Sequence, residues 1–212
     1  MTAASSIGIF GGRFDPVHRA HIAMAKAAAD QLQLKEVLWV VSANAVHKAA
    51  VASAEHRLEM VRLALEELQD PRMKLDARET HAAARGEDNP SYKTLQSLQE
   101  ERPNQEWVWI LGEDQLQAFT TWQRWEWLAQ NMVLAACRRP GAGQANLPQL
   151  IAAGSQVVPI DFVADPVSSS QVRERLAGCL PIDDLVPQGV ARYLAAHGVY
   201  GAPPTARRPN SI

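Results

Sequence analysis

Two histidines three residues apart, His18 and His21, follow a strand-like run that closes on two glycines; residues 7–22 read IGIFGGRFDPVHRAHI. Gly11 and Gly12 carry no side chain, so a ligand can approach the backbone at the strand end. If Val17 opens a helix, the two imidazoles share one face near its N-terminus. Free N–H groups and the positive dipole end favour phosphate there. Fixed imidazole donors stabilise the charge that grows on phosphate oxygens during phosphoryl or nucleotidyl transfer. The stretch is not a Walker loop, because no Gly-Lys-Ser/Thr follows. It is also not the G-x-G-x-x-G loop of dehydrogenases. Taken alone, H-x-x-H also reads as a pair of surface histidines or as part of a metal site. The metal reading needs third and fourth ligands, and none stands at a sensible spacing.

Two later segments offer phosphate chemistry. Residues 167–176 read VSSSQVRERL, with serines before a helix and Arg173 one turn on. Hydroxyls, helix-start N–H groups and a guanidinium fork together bind phosphate well. The bland alternative is an N-cap run beside a surface arginine. Residues 110–116 read ILGEDQL, a buried strand ending at Gly112 with Asp114 at a helix start. An acid there also simply answers the helix dipole.

The first loop resembles the G-G-T-F-D-P-x-H-x-G-H signature of the HxGH nucleotidyltransferases. Gly11, Gly12, Phe14, Asp15, Pro16, His18 and His21 match it. Arg13 stands where that family usually has Thr or Ser, and Ala20 where it usually has Gly. The added methyl of Ala20 is tolerable on helical backbone and harmful at positive φ. Arg13 either adds a phosphate contact or points to solvent. Ser168, Ser169, Ser170, Val172 and Arg173 resemble the second signature, I-S-[ST]-T-x-[IV]-R, and residues 112–116 resemble G-x-D-x-L.

Among HxGH enzymes, the bacterial nicotinate mononucleotide adenylyltransferases are the most similar. Residues 44–48 (NAVHK) resemble their N-x-P-P-H-[KR] loop, with Ala45 and Val46 in place of the prolines. Residues 89–98 (NPSYKTLQSL) resemble P-S-Y-T-x-x-T-L with Lys93 as an extra residue, which puts Thr94 on the family threonine. Residues 121–127 (TWQRWEW) resemble the Trp-bearing segment, and residues 193–200 (YLAAHGVY) the closing Y-I-x-x-x-G-L-Y. The resemblance spans about residues 7–200.

It implies transfer of AMP from ATP to nicotinate mononucleotide, giving deamido-NAD and pyrophosphate. His18, His21 and Arg173 would be catalytic. ATP would lie against Ile9, Phe10, Gly11, Gly12, Lys48, Gly112, Asp114, Ser169 and Ser170. Asn44, His47, Lys48, Tyr92, Thr94 and Trp122 would hold the nicotinate nucleotide. Mg²⁺ would come with ATP, held by substrate oxygens and water, so no protein metal ligand is named. Other readings stay open. One is an HxGH enzyme for nicotinamide mononucleotide, phosphopantetheine or cytidylyl transfer. Another, prompted by Arg13, Ala20 and the proline-less loop, is a nucleotide-binding protein with little catalysis. A histidine metalloenzyme ranks last.

These residues need a frame. Residues 7–10, 36–41, 73–77, 107–111, 132–136 and 156–160 read as strands, several of them continuous apolar runs suited to a parallel sheet covered on both faces. Helices are expected over 20–32, from the Ser53 cap through Leu58, Val61, Leu65 and Leu68, and over 91–101, 122–130, 150–153, 167–176 and 188–196. Residues 78–90 read as a polar surface loop. The expected fold is α/β, a Rossmann-like, doubly wound, mostly parallel sheet with helices on both faces and its ligand crevice at the strand carboxyl ends. One domain is expected over 1–201, with a C-terminal helical portion at about 168–200 and a disordered tail over 202–212.

The 212 residues are 47% hydrophobic and 21% charged, which is globular composition, with a net charge of −2. No bulk pull toward nucleic acid or anionic membrane follows. No apolar run is long enough to span a bilayer, and the N-terminus lacks a signal peptide's basic region. Two cysteines, Cys137 and Cys179, suit reduced thiols in a reducing compartment, so a cytoplasmic location is expected. A homo-oligomer is left open.

Overall fold

A computed structural model describes residues 6–43, 51–137, 147–162 and 166–201. Six strands form one sheet: β1 (Ser6–Gly12), β2 (Glu36–Val41), β3 (Met73–Asp76), β4 (Glu106–Gly112), β5 (Val133–Cys137) and β6 (Gln156–Ile160). Their order is β3-β2-β1-β4-β5-β6, and all five pairings are parallel. This is the expected doubly wound α/β fold.

The apolar runs work because alternate residues feed opposite layers. In β2, Val37, Trp39 and Val41 enter one core, while Leu38 and Val40 enter the other. The first core is roofed by α1 (Arg19–Gln31), α2 (Ala54–Leu68), α8 (Ser169–Ala177) and α9 (Gln188–His197). The second is roofed by α4 (Ser91–Glu101), α5 (Glu113–Ala118), α6 (Trp125–Asn131) and α7 (Leu147–Ala152). Each fully buried large side chain contributes roughly 2 kcal/mol. β6 is an edge strand, which is why it tolerates Pro159.

Three expectations change. Residues 78–90 are not all loop: Arg78–Ala84 form helix α3, burying Glu79, Thr80 and Ala82. Alanine propensity and an Arg78 bridge to Asp76 (2.8 Å) and Glu101 (3.0 Å) outweigh the segment's polarity. The helix expected over 122–130 starts only at Trp125, because Arg124 takes left-handed backbone (φ 54°) and separates it from a 3-10 turn at Phe119–Thr121. In α2 the fully buried face is Arg57, Met60, Val61 and Ala64, with Leu58, Leu65 and Leu68 only half-buried beside it. No described helix is long and apolar enough to cross a membrane. The predicted 202–212 tail lies outside the described residues.

Candidate active site

The strand order reverses between β1 and β4, and a parallel sheet opens a crevice at such a point, outside the strand carboxyl ends. A cleft of about 430 Å³ lies there. Phe10, Gly11 and Gly12 from β1 and Gly112 and Asp114 from the end of β4 border it. Of the other expected residues, His18, His21 and Ser169 also line it. Gly12 has to be small: a Cβ would come within 3.0 Å of the Phe14 ring, which is itself buried on left-handed backbone (φ 49°).

Helix α1 begins at Arg19, one residue before the expected 20–32 span and two after Val17. His18 is its N-cap on extended backbone, and His21 is the third helical residue. The two rings stack with centroids 3.7 Å apart, and His21 also meets the Phe14 ring edge-on at 5.1 Å. The His18 N–H donates to His21 Nδ1 at 3.2 Å, so the neutral ring carries its proton on Nε2. Burial, then the neighbouring His18, hold His21 well below the ordinary histidine value. It is therefore a neutral N–H donor at pH 7. The expected helix-start N–H donors are partly engaged: Arg19 N–H goes to the Leu185 carbonyl (3.0 Å) and His21 N–H back to His18 (3.0 Å). Ala20 lies within α1 and is not among the positive-φ residues, so its methyl is accommodated.

Behind the cleft, residues far apart in sequence converge on Asp15. Its carboxylate accepts Val51 N–H at 2.8 Å, Ala52 N–H at 3.1 Å and the Tyr200 hydroxyl. Burial and this carboxylate push the Tyr200 hydroxyl far above an ordinary phenol. Arg57, 1% exposed, donates to four carbonyls: Arg13 (3.0 Å), Ser42 (2.6 Å), Ala43 (3.1 Å) and Ala52 (3.3 Å). Arg57 and Asp15 thus tie the first loop to both flanks of residues 44–50. Sequence reasoning missed Arg57 and Tyr200. The only sequence signal for Tyr200 was its place in the closing motif, and Arg57 stood in an ordinary helix. Gln115 is a further unforeseen residue: its amide donates to Gly11 O (3.3 Å) and accepts from Gly112 N–H (3.4 Å), bridging the two strand ends.

The remaining expected residues distribute unevenly. Arg173 donates to Asp15 O at 2.7 Å and Ser170 Oγ at 3.2 Å, and Ser169 Oγ donates to Pro16 O at 2.9 Å, so α8 is pinned to the first loop. Arg173 and Ser170 do not line the cleft, and Ile9 is buried beneath it. Tyr92 lies under the Arg124 guanidinium, 4.8 Å from ring centroid to carbon. Trp122 packs on Phe119 (5.0 Å) and Trp109 (5.7 Å). Neither aromatic lines the cleft. Asn44, His47 and Lys48 lie outside the described residues. Cys137 does line the cleft, but burial pushes its thiol up to about 12, so it is no nucleophile at neutral pH.

Thr94 sits at the start of α4 and does not line the cleft. It is fully buried, donates to Glu79 Oε1 at 2.8 Å and accepts from Asn89 Nδ2 at 3.3 Å. Burial raises Glu79 to about 7, against an ordinary 4.5. The folded state therefore holds a proton that the unfolded chain releases, and stability falls as pH rises from about 4.5 to about 7. Glu79→Gln keeps the acceptor and does not titrate. Its stability relative to wild type is expected to rise by about 2–3 kcal/mol between pH 5 and pH 8. Urea midpoints of the two proteins at both pH values measure this, and a pH-independent difference would show that Glu79 titrates normally.

Comparison with known proteins agrees with this architecture. A cytidylyltransferase-like family model matches residues 9–175. A Bordetella petrii protein named as a probable nicotinate-nucleotide adenylyltransferase is 39% identical over 199 residues, covering 92% of this chain and 98% of its own. A Gloeobacter violaceus protein of the same name is 39% identical over 208 residues, covering 93% and 97%. The fold is similar to that of Plasmodium falciparum nicotinic acid mononucleotide adenylyltransferase complexed with NaAD, with a TM-score of 0.77 at 20% identity over 93% of this chain and 98% of that one. A stacked histidine pair at the switch point of a 3-2-1-4-5-6 sheet, with relatives at this identity over nearly the whole length, places the chain in the nicotinate-nucleotide adenylyltransferase family of cytidylyltransferase-like nucleotidyltransferases.

Proposed function

We propose that this protein transfers the adenylyl group of ATP to nicotinate mononucleotide, forming deamido-NAD and pyrophosphate as a cytoplasmic step of NAD synthesis. The observation that carries the reading is the His18–His21 stack at the open strand ends, with one ring held neutral and its proton on Nε2. A phosphate oxygen of nicotinate mononucleotide attacks the α-phosphorus of ATP. The bond from that phosphorus to the bridging oxygen breaks in line, and pyrophosphate leaves with the electron pair. No protein nucleophile is needed, because positioning and charge stabilisation suffice.

His21 Nε2–H donates to an α-phosphate oxygen as its charge grows, and His18 lies against the same group. The Gly11–Gly12 backbone admits the nucleotide, and Asp114 and Ser169 border it. Arg173 acts by holding the loop through Asp15 O. Asn44, His47 and Lys48, with Tyr92 and Trp122, are assigned to the acceptor, and an aromatic platform suits its flat ring. Thr94 serves through Glu79 rather than by touching the acceptor. Mg²⁺ is assigned as the divalent cation, and it neutralises phosphate charge when bound with ATP. Phosphate oxygens and water would hold most of its coordination sphere. Residues 1–201 are taken as one functional unit.

The test is pyrophosphate release from ATP and Mg²⁺ with a panel of acceptors. Turnover with nicotinate mononucleotide well above its amide analogue is expected. A preference for phosphopantetheine, or for cytidine triphosphate as donor, would overturn the substrate assignment. ATP binding without turnover on any acceptor would overturn the enzymatic one.

A further inference from the structure

A run of aromatic rings leads away from the cleft on the second face of the sheet. The Trp109 indole lies against the end of β1, since a Cβ at Gly11 would come 3.2 Å from its Cζ2. Trp109 meets Trp122 edge-on at 5.7 Å, and Trp122 packs on Phe119 at 5.0 Å. Trp122 ends the 3-10 turn, and Arg124, two residues on, caps the start of α6. Tyr92, in the first turn of α4, carries the Arg124 guanidinium over its ring, 4.8 Å from the centroid. One cation therefore stands at the two aromatics assigned above to the acceptor, on the ring of Tyr92 and two residues from Trp122.

The setting leaves that cation ready for an anion. A guanidinium over a ring face is held by the ring quadrupole, and its N–H donors, which lie in its own plane, are not consumed. Among the described residues no carboxylate or carbonyl takes them, and Arg124 is exposed. Two neighbouring cations are placed differently: Arg78 bonds Asp76 and Glu101, and Lys93 donates to the Asp88 carbonyl at 2.8 Å. Arg124 also sits on left-handed backbone (φ 54°), where glycine or asparagine is the usual occupant. Other side chains kept on such backbone cluster at ligand sites. The two candidate pyridine nucleotides differ at one group. Nicotinate carries an ionised carboxylate with two acceptor oxygens, and nicotinamide carries a neutral amide with one acceptor and an NH₂ donor. A guanidinium fork pairs with both oxygens of the first and meets a donor like itself on the second.

We propose that Arg124 is a specificity-determining residue that pairs with the nicotinate carboxylate and so selects the acid nucleotide over its amide. This rests on the acceptor assignment above.

The experiment compares wild type, Arg124→Asn and Arg124→Lys with nicotinate and nicotinamide mononucleotides. Asparagine tolerates left-handed backbone, so the turn before α6 is kept while the charge is lost. Calorimetry, with and without a non-hydrolysable ATP analogue, gives the affinity for each mononucleotide, and steady-state assays with ATP give kcat and KM. Arg124→Asn is expected to lower the acid-to-amide ratio of affinities and of kcat/KM by about tenfold or more, the scale of one charge-assisted contact. The loss should fall on the acid and appear in KM rather than kcat, because the contact is made in ground and transition state alike. Arg124→Lys should recover part of it. An unchanged ratio in Arg124→Asn overturns the proposal. So does an equal loss for both nucleotides, which would mark a distorted aromatic platform. Wild-type turnover judges the adenylyltransferase reading separately: a wild type that binds the acid through Arg124 yet transfers no adenylyl group overturns that reading and leaves the Arg124 assignment standing. A wild type that binds neither mononucleotide overturns both.

Discussion

Replacing His21 by alanine is expected to lower kcat about 100- to 1,000-fold, the scale of losing one preorganised donor to a developing oxyanion. The argument runs through its two nitrogens. Nδ1 accepts the His18 N–H at 3.2 Å, which orients the ring and leaves the proton on Nε2. Burial and His18 keep that ring neutral, so it donates a hydrogen bond without first needing a proton from solvent. The substitution also removes a helix-cap partner, at a cost of about 1 kcal/mol. Against a total stability of about 5–15 kcal/mol, the variant stays folded, so the kcat loss reads chemistry rather than unfolding. KM for ATP should move far less than kcat, because the contact matters most in the transition state.

The pH behaviour gives a second reading of the same group. The unfolded chain takes up a proton on His21 near 6.5, and the folded state resists it. More protons on the unfolded side mean that stability falls as pH drops below about 6.5. The stability difference between wild type and His21→Ala should therefore shift against wild type on acidification from pH 7.5 to 5.5. If wild-type kcat instead declined as pH rose through 6.5, with the decline absent in His21→Ala, an imidazolium would be the active form and the neutral-donor assignment would fail.

Arg57→Met is the second large effect. The substitution leaves the carbonyls of Arg13, Ser42, Ala43 and Ala52 without their donor and removes the favourable charge that the guanidinium shares with Asp15. Breaking a buried ionic network by removing one member costs about 3–5 kcal/mol. Urea unfolding should show a loss of that order. Activity should fall with it, because Arg57 holds Arg13 from behind the cleft and both flanks of the 44–50 segment. Arg57→Lys keeps the charge but has one nitrogen for four acceptors, so it should fall between the two. A wild-type midpoint in Arg57→Met would mean that water replaces the guanidinium at little cost and that the clamp is dispensable.

The sequence by itself determined the central strands, because a buried parallel strand is a short local apolar run: residues 36–41 and 107–111 are β-branched or aromatic-rich and too short for a buried helix. It also determined the first loop, whose glycines, proline and histidines lie within a dozen residues, so their chemistry is readable from spacing. Helix α3 escaped because polar composition masked modest helix propensity, and the late start of α6 because a left-handed turn at Arg124 has no marker such as glycine.

Only the tertiary structure decided what long side chains reach. Tyr200 bonds a carboxylate 185 positions away, and Arg173 turns to a backbone carbonyl of the first loop. The motif places Thr94 beside the acceptor, and only the fold shows that its hydroxyl is bonded to a buried Glu79. Arginine and threonine carry the same donors wherever they stand. Whether those donors meet ligand, solvent or backbone depends on which strand ends the sheet order brings together, and that order is a non-local property that no window of sequence contains.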